Sequence, residues 1–290
     1  MNYQWYPGHM TKAKRMMQED IKLIDLVIEV VDARVPMSSR NPDIDELGKN
    51  KARMILLNKS DLADPVANKK WMEYFQTLGI HVVEVNSKSG SGIRNIIGVV
   101  DKACKEKIER DKRRGILNRP VRAMVVGIPN VGKSTFINAF AGKACTKTGN
   151  KPGVTKGKQW IRLNKSLELL DTPGILWPRF DDQAVGMKLA FIGSINDEII
   201  RIDELANDFI KFILPLYGNC LRERYEADST TSDYIKADMI LESVAKNRHC
   251  LMKGEKLDLM KAANILIEDF RSGKLGKITL EFPEEYYGKS

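Results

Sequence analysis

The stretch LLNKSD, Leu56–Asp61, closes an apolar run with Asn-Lys-x-Asp, and GIPNVGKS, Gly127–Ser134, follows another apolar run with G-x-x-x-x-G-K-S. Each reads one end of a nucleotide. In the second, the glycines let backbone N–H groups curl around phosphates, and the helix that follows adds its positive end. In the first, the Asp61 carboxylate accepts from the ring N–H and the exocyclic amino group of guanine, a pattern that adenine reverses. Lys59 is expected to lie along the ring and Asn58 to brace the loop. The base reader precedes the phosphate reader in the chain, which is the reverse of the usual order. The fold has to accommodate that reversal.

Working outward, DLVIEVVD (25–32), ARMILLNKSD (52–61), HVVEVNS (81–87), VRAMVVG (121–127), KQWIRLN (158–164) and LELLDTPG (167–174) read as six strands. The first is a nearly continuous apolar run, as a strand buried on both faces requires. Helical spacing over roughly 65–78, 91–114 and 133–142 separates several of them. Strands alternating with helices predict a mostly parallel sheet with helices on both faces. Beyond Trp177 the pattern changes. QAVGMKLAFIGSI, DEIIRIDELANDFIKFIL, SDYIKADMILESVAK and KLDLMKAANILIEDFRSG all have helical spacing, and strand signals vanish until a short KITLEF, which reads as a strand. The expected architecture is an α/β nucleotide-binding domain over 1–178 and an all-α domain over 179–290.

The remaining site residues sit at strand ends. Gly127, Asn130, Val131, Gly132, Lys133, Ser134 and Thr135 are expected around the phosphates, with Lys133 on the β and γ groups and the Ser134 hydroxyl on Mg²⁺. DTPG supplies Asp171 for the metal and Gly174 for the γ-phosphate. KPGVTKGK offers Thr155 as a hydroxyl that closes over Mg²⁺, in a Gly- and Lys-rich segment suited to a switch. NSKSG offers Ser87 and Lys88 to hold the guanine O6. All of these fit one ligand, GTP. Joining the usual chain ends and cutting before the fourth strand converts the usual motif order into this one. The first domain is therefore read as a circularly permuted P-loop GTPase domain.

Bulk properties exclude several classes. The chain has 290 residues, 43% of them hydrophobic and 29% charged, with no apolar run long enough to span a membrane. MNYQWYPGHM lacks a basic segment followed by an apolar one, so no secretory leader is expected. The four cysteines are scattered and are expected to be reduced packing residues, with no zinc site. Net charge is +9, unevenly spread: residues 1–180 carry 32 basic against 18 acidic residues, and 181–290 carry 15 against 20. Thirteen basic residues and no acid lie between Lys112 and Leu167. A charge run alone usually marks a solvated face, but a field of one sign this large attracts polyanions, nucleic acid first. Few aromatics interleave with it, which favours backbone contacts over base stacking.

The permuted order, with WYPGHM (5–10), DARVPMSSRN (32–41) and FRSGKLGKITLE (270–281), resembles the ribosome biogenesis GTPase A family, also called YlqF, nearly end to end. The resemblance implies a cytoplasmic, monomeric GTPase that binds the precursor of the large ribosomal subunit and its rRNA, with a C-terminal domain similar to ANTAR-type RNA-binding domains. The acidic balance of that domain suggests that rRNA contact is shared with the basic GTPase face. Ile175 and Leu176 follow Gly174, where many GTPases carry a water-orienting Gln, and neither can hold a water. The family looks to the histidine of PGHM instead, here His9. Asn130 resembles the position through which potassium-activated GTPases hold K⁺. Arg34 and Arg40 are expected to be structural or to face a partner. The rival reading is a GTP-dependent switch or RNA-binding module with no ribosomal role and little turnover.

Overall fold

The computed structural model describes residues 15–288 except 16, 118, 143–158, 164, 172–181, 198–199 and 228–232. Six strands form one sheet: β1 Leu26–Asp32, β2 Ala52–Asn58, β3 His81–Glu84, β4 Val121–Val126, β5 Gln159–Arg162 and β6 Leu167–Asp171. Their order is β3-β2-β1-β4-β6-β5, parallel except for antiparallel β5 on β6. The chain enters at the centre on β1, builds one half outward, returns to the centre on β4 and completes the other half. All seven residues of β1 are buried, because strands flank it on both edges and helices cover both faces.

Register aligns the strand ends. Asp32 lies opposite Asn58, and Val125 opposite Asp171. The loops after β1, β2 and β4 therefore open along one edge, where β6 also ends, the carboxyl edge where parallel sheets bind ligands.

The helices are α1 Asp43–Leu47, α2 Pro65–Thr77, α3 Ile96–Ala103, α4 Lys105–Arg113, α5 Lys133–Ala141, α6 Gln183–Phe191, α7 Ile202–Tyr225, α8 Asp233–Asn247 and α9 Leu259–Arg271. Their starts follow the capping chemistry in the sequence. Asp64 Oδ1 accepts from Val66 N at 2.8 Å with Pro65 at the first position, Asp182 Oδ1 from Ala184 N at 2.8 Å, and Asp258 Oδ1 from Lys261 N at 2.9 Å. The single helix expected over 91–114 is two, α3 and α4, broken at Cys104 (φ −102°, ψ 14°). Cys104 is buried, whereas the KEKIERDKR segment after it is almost wholly polar, so the two halves cannot share one apolar stripe. Pro215 lies inside α7, which kinks where Tyr217 leaves helical geometry (φ −135°, ψ 29°). No helix among the described residues is long and apolar enough to cross a membrane.

The helices α6–α9 do not form a separate core. One apolar cluster runs from Leu26, Ile28 and Val125 in the sheet through Leu189, Phe191 and Phe209 to Phe270 and Leu280. The expected boundary at 178/179 falls outside the described residues, and the end of the chain returns to the sheet. KITLEF is an extended tail, not a ladder strand: Ile278 N donates to Leu62 O at 3.0 Å, Leu280 N to Arg34 O at 2.7 Å, and Trp71 Nε1 to Glu281 O at 2.9 Å.

Glu281 fixes this return. It is fully buried and accepts from Met37 N at 2.8 Å, from Ser38 N and Oγ, and from Lys188 Nζ at 3.3 Å. One carboxylate thus ties the tail, the loop after β1 and α6 together. Glu281→Ala leaves the Lys188 ammonium and two backbone N–H groups buried without it, a loss of about 3–5 kcal/mol. Urea unfolding should show that loss as a lower midpoint, and a change under about 1 kcal/mol would demote Glu281 to a dispensable contact.

Candidate nucleotide site

The base-reading loop and the phosphate loop are held as one body by Asn58. Its side chain is buried, its Nδ2 donates to Val131 O at 2.7 Å, and its Oδ1 accepts from Ser87 N at 3.1 Å and Ser87 Oγ at 2.7 Å. Three loops from β2, β3 and β4 therefore meet at one amide. Gly132 makes this possible, since a Cβ there would stand 2.4 Å from Asn58 Nδ2, and its φ of 95° favours glycine. Gly127 is similar: a Cβ would stand 2.5 Å from Val30 O. At these two positions the neighbours approach so closely that a side chain would clash.

Lys59 takes a left-handed conformation (φ 57°) and aims its ammonium inward, to Asp32 Oδ2 at 2.9 Å and Asn130 O at 2.7 Å. Asp61, two residues on, is exposed on the turn Ser60–Leu62. Ser87, expected at the guanine O6, is buried and spends its hydroxyl and backbone N–H on Asn58. Lys88 is exposed on the same loop.

Lys133 opens α5 and folds over the loop, donating to Gly127 O at 2.9 Å and Ile128 O at 3.1 Å. These are the kind of oxygens that a nucleotide's phosphates would replace. Ser134 and Thr135 follow in the first turn of α5, whose N-terminus supplies the positive end of the helix to an anion. Asn130 is left-handed (φ 63°), a conformation that Asn tolerates better than most residues, and its Nδ2 donates to Gly193 O at 2.5 Å. Asp171 ends β6, the strand beside β4, so it starts level with the loop. His9, Thr155 and Gly174 lie outside the described residues.

The two arginines expected to be structural are buried in ion pairs. Arg40 Nε reaches Glu29 at 3.0 Å. Arg34 grips Asp32 with two bonds of 2.9 and 2.8 Å, lies over the Phe270 ring at 4.9 Å, and points Nη1 at the Phe270 and Arg271 carbonyls at 3.4 Å. Composition alone did not mark Asp32 as a support of Lys59. The only hint was its place at a strand end, level with Asn58.

A family model described as a 50S ribosome-binding GTPase matches residues 122–248. It begins inside β4 and leaves the Asn58–Asp61 half of the chain outside. Across the whole chain, "Ribosome biogenesis GTPase A" of Bacillus cereus is 46% identical over 286 residues, covering 99% of this chain and 96% of the relative. The chain belongs to the ribosome biogenesis GTPase A family. The relative of the same name from Thermotoga maritima is 32% identical over 97% of this chain and 95% of its own. A GDP-bound structure of TM YlqF matches with a TM-score of 0.67 at 28% identity, covering 93% of this chain and 100% of that one. A GNP-bound YlqF from T. maritima matches at 0.64. This protein is a ribosome biogenesis GTPase with a P-loop GTPase domain and a C-terminal helical region.

Burial opposes the Asp32 charge, but the Arg34 guanidinium and the Lys59 ammonium outweigh it and hold the carboxyl well below its ordinary value. A depressed folded-state pKa contributes stability above the unfolded value, about 3.9, and that stability is lost as pH falls toward the folded value. Asp32→Asn should unfold at lower urea than the parent at pH 7, and the gap should narrow between about pH 4 and pH 2. A gap that stays constant across that range would mean the charge of Asp32 contributes nothing.

Proposed function

We propose that this GTPase binds the maturing large ribosomal subunit and its rRNA, and that GTP binding and hydrolysis control a late maturation step and its own release. The observation that carries the reading is the tie through Asn58 to Val131 and Ser87, which makes base loop and phosphate loop a single guanine-nucleotide site. Support for the large subunit comes from the matching model's description and from the relatives' names. The basic run from Lys112 to Leu167 supplies sequence-independent attraction to rRNA phosphates. The protein acts as a cytoplasmic monomer, with a GTPase domain over 1–178 and an ANTAR-like RNA-binding domain over 179–290.

In this reading Asp61 selects guanine, Lys59 covers the ring, and Asn58 and Ser87 hold both in place, with Lys88 at the rim. The N–H groups of Gly127–Thr135 and the Lys133 ammonium hold the phosphates, with Gly174 on the γ group. Ser134, Thr155 and Asp171 would hold Mg²⁺, which would supply positive charge to offset that of the phosphates. The loop fits such a ligand set, with glycines where a Cβ would clash, a lysine folded over it and the end of β6 one strand away. Asn130 orients an amide that can serve K⁺, and His9 positions the attacking water that Ile175 and Leu176 cannot. Turnover alone is slow, and the subunit stimulates it. The reversed motif order is a circular permutation that hangs the helices directly from Asp171–Gly174.

Co-sedimentation with large-subunit precursors tests the reading. Binding should be tighter with a non-hydrolysable GTP analogue than with GDP, and should weaken steeply with salt. Equal sedimentation in both nucleotides would sink the switch.

Asp61→Asn should exchange guanine for xanthine preference, read as relative displacement by GTP and XTP. Parental GTP affinity in that variant would remove Asn58–Asp61 from the base site.

His9→Ala should lower subunit-stimulated turnover at least tenfold while GTP affinity stays near parental. Unchanged turnover would leave His9 without a chemical role.

A further inference from the structure

The sequence attaches the helices to the nucleotide site at one place, the segment after Asp171. The structure adds a second attachment that reaches the phosphate loop from the other side. Ser194, in the turn after α6, is fully buried and donates its hydroxyl to Pro129 O at 2.8 Å. One residue earlier, Gly193 O accepts from Asn130 Nδ2 at 2.5 Å. The two bonds grip consecutive residues at the crown of the phosphate loop.

The turn that makes these bonds is itself fixed. Arg271, at the end of α9, donates from Nε to Phe191 O at 3.0 Å and from Nη2 to Ala190 O at 2.8 Å, and pairs with Asp197 at 2.6 Å. It thereby caps α6 with a cation at the carbonyl end. Gly193 is left-handed (φ 76°), and a Cβ there would meet the Arg271 guanidinium at 3.2 Å. Opposite the turn, Asn130 is also left-handed, a state that Asn reaches more readily than most residues and that its partners fix here. Its backbone carbonyl accepts from Lys59 and its side chain donates to Gly193, so the base loop and the helical region hold it from two sides.

We propose that Ser194 is a positioning residue for nucleotide binding, holding the Pro129–Asn130 crown in the conformation that receives the phosphates. The helical region is then a structural part of the nucleotide site and does more than follow its switch. This rests on the reading of Gly127–Ser134 as the phosphate loop. Ser194 touches no nucleotide; it acts through Pro129 and, with Gly193, through Asn130. Because the crown serves the phosphates of either nucleotide, losing the hydroxyl weakens GTP and GDP together.

The test is nucleotide affinity of full-length variants, measured with fluorescent GTP and GDP alongside melting curves. Ser194→Ala and the near-isosteric Ser194→Cys, a much poorer donor, should each weaken both nucleotides roughly five- to thirtyfold, the range set by one lost buried hydrogen bond with its acceptor unpaired. Ser194→Thr, which keeps the hydroxyl, should recover most of the affinity. Ile267→Val, a cavity in the α9 core away from the loop, controls for stability: it should lower the melting temperature but leave affinity parental. Lys133→Ala should abolish tight binding. If Lys133→Ala behaves so while Ser194→Ala and Ser194→Cys bind as the parent does, or more tightly, the positioning role is wrong. It is equally wrong if Ile267→Val weakens binding as much as they do. If Lys133→Ala binds normally, the phosphate-loop reading itself fails, which is a separate outcome.

Discussion

A buried carboxylate at the end of the central strand organises the molecule. Asp32 has no exposed surface, and in such a place an ionised carboxyl is tolerated only with charge and hydrogen bonds around it. Arg34 supplies a two-bond grip, and Lys59 a third contact from the base loop. The Ser39 hydroxyl accepts from the Asp32 backbone N–H and closes the turn. Removing either cation takes hydrogen bonds from a carboxylate that burial leaves with no water to replace them. The cluster therefore acts as a junction. Lys59 leads to Asn130 in the phosphate loop, and Arg34 leads to the end of α9 and, through its own carbonyl, to the tail at Leu280.

That junction explains why the helices share a core with the sheet. A helical unit joined only by a linker would be expected to carry a separate core and a polar seam. Here the seam is crossed by buried polar bonds whose loss is costly: Arg34 to Phe270 O, Glu281 to Met37 and Ser38, Ser194 to Pro129. Apolar packing runs between them without interruption. Aromatic contacts add to it on the far side, where Trp71 stacks on Phe75 at 5.5 Å and meets Tyr286 from the tail at 5.6 Å.

Much of the fold was legible in the sequence because its signals are local. The apolar run of β1 and the strand–loop–helix frame of Gly127–Ser134 each carry their own evidence within a few residues. The break at Cys104 escaped because helical spacing continues through it, and only burial distinguishes the two halves. KITLEF read as a strand because alternation is the same for a tail that finds single backbone partners and for one that joins a ladder. The candidate site divides in the same way. Asn58 as a brace and Lys59 across the ring follow from the motif, but Ser87 turning to Asn58, and Asp32 beneath Lys59, depend on contacts between strands that no spacing encodes. Ser194 and Gly193 carried no signal at all, since a Gly-Ser pair after a helix is an ordinary helix end.

The order of the chain gives these long-range contacts their meaning. The sheet's carboxyl edge brings together loops that the chain reaches separately, after β1, β2, β3 and β4, and β6 ends at the same edge. The last visit is followed by the helices, and the chain then returns twice to ground it has already laid down. Once, at Gly193–Ser194, it touches the phosphate loop; once, at Ile278–Glu281, it touches the loops after β1 and β2. Each return lands on a loop of the candidate site, at Pro129–Asn130 in the first case and beside the Lys59–Asp61 turn, through Leu62, in the second. Coupling between nucleotide and helices then needs no long pathway. It requires only that a ligand prefer one arrangement of loops that the helices already contact, and the free energy available to move them is the difference in that preference. A sheet read in the usual order would place the phosphate loop at the start of the chain and send the segment after β6 back into strands. In this order the same edge is left with helices as its last neighbour, and buried bonds across the seam hold that neighbour against the loops.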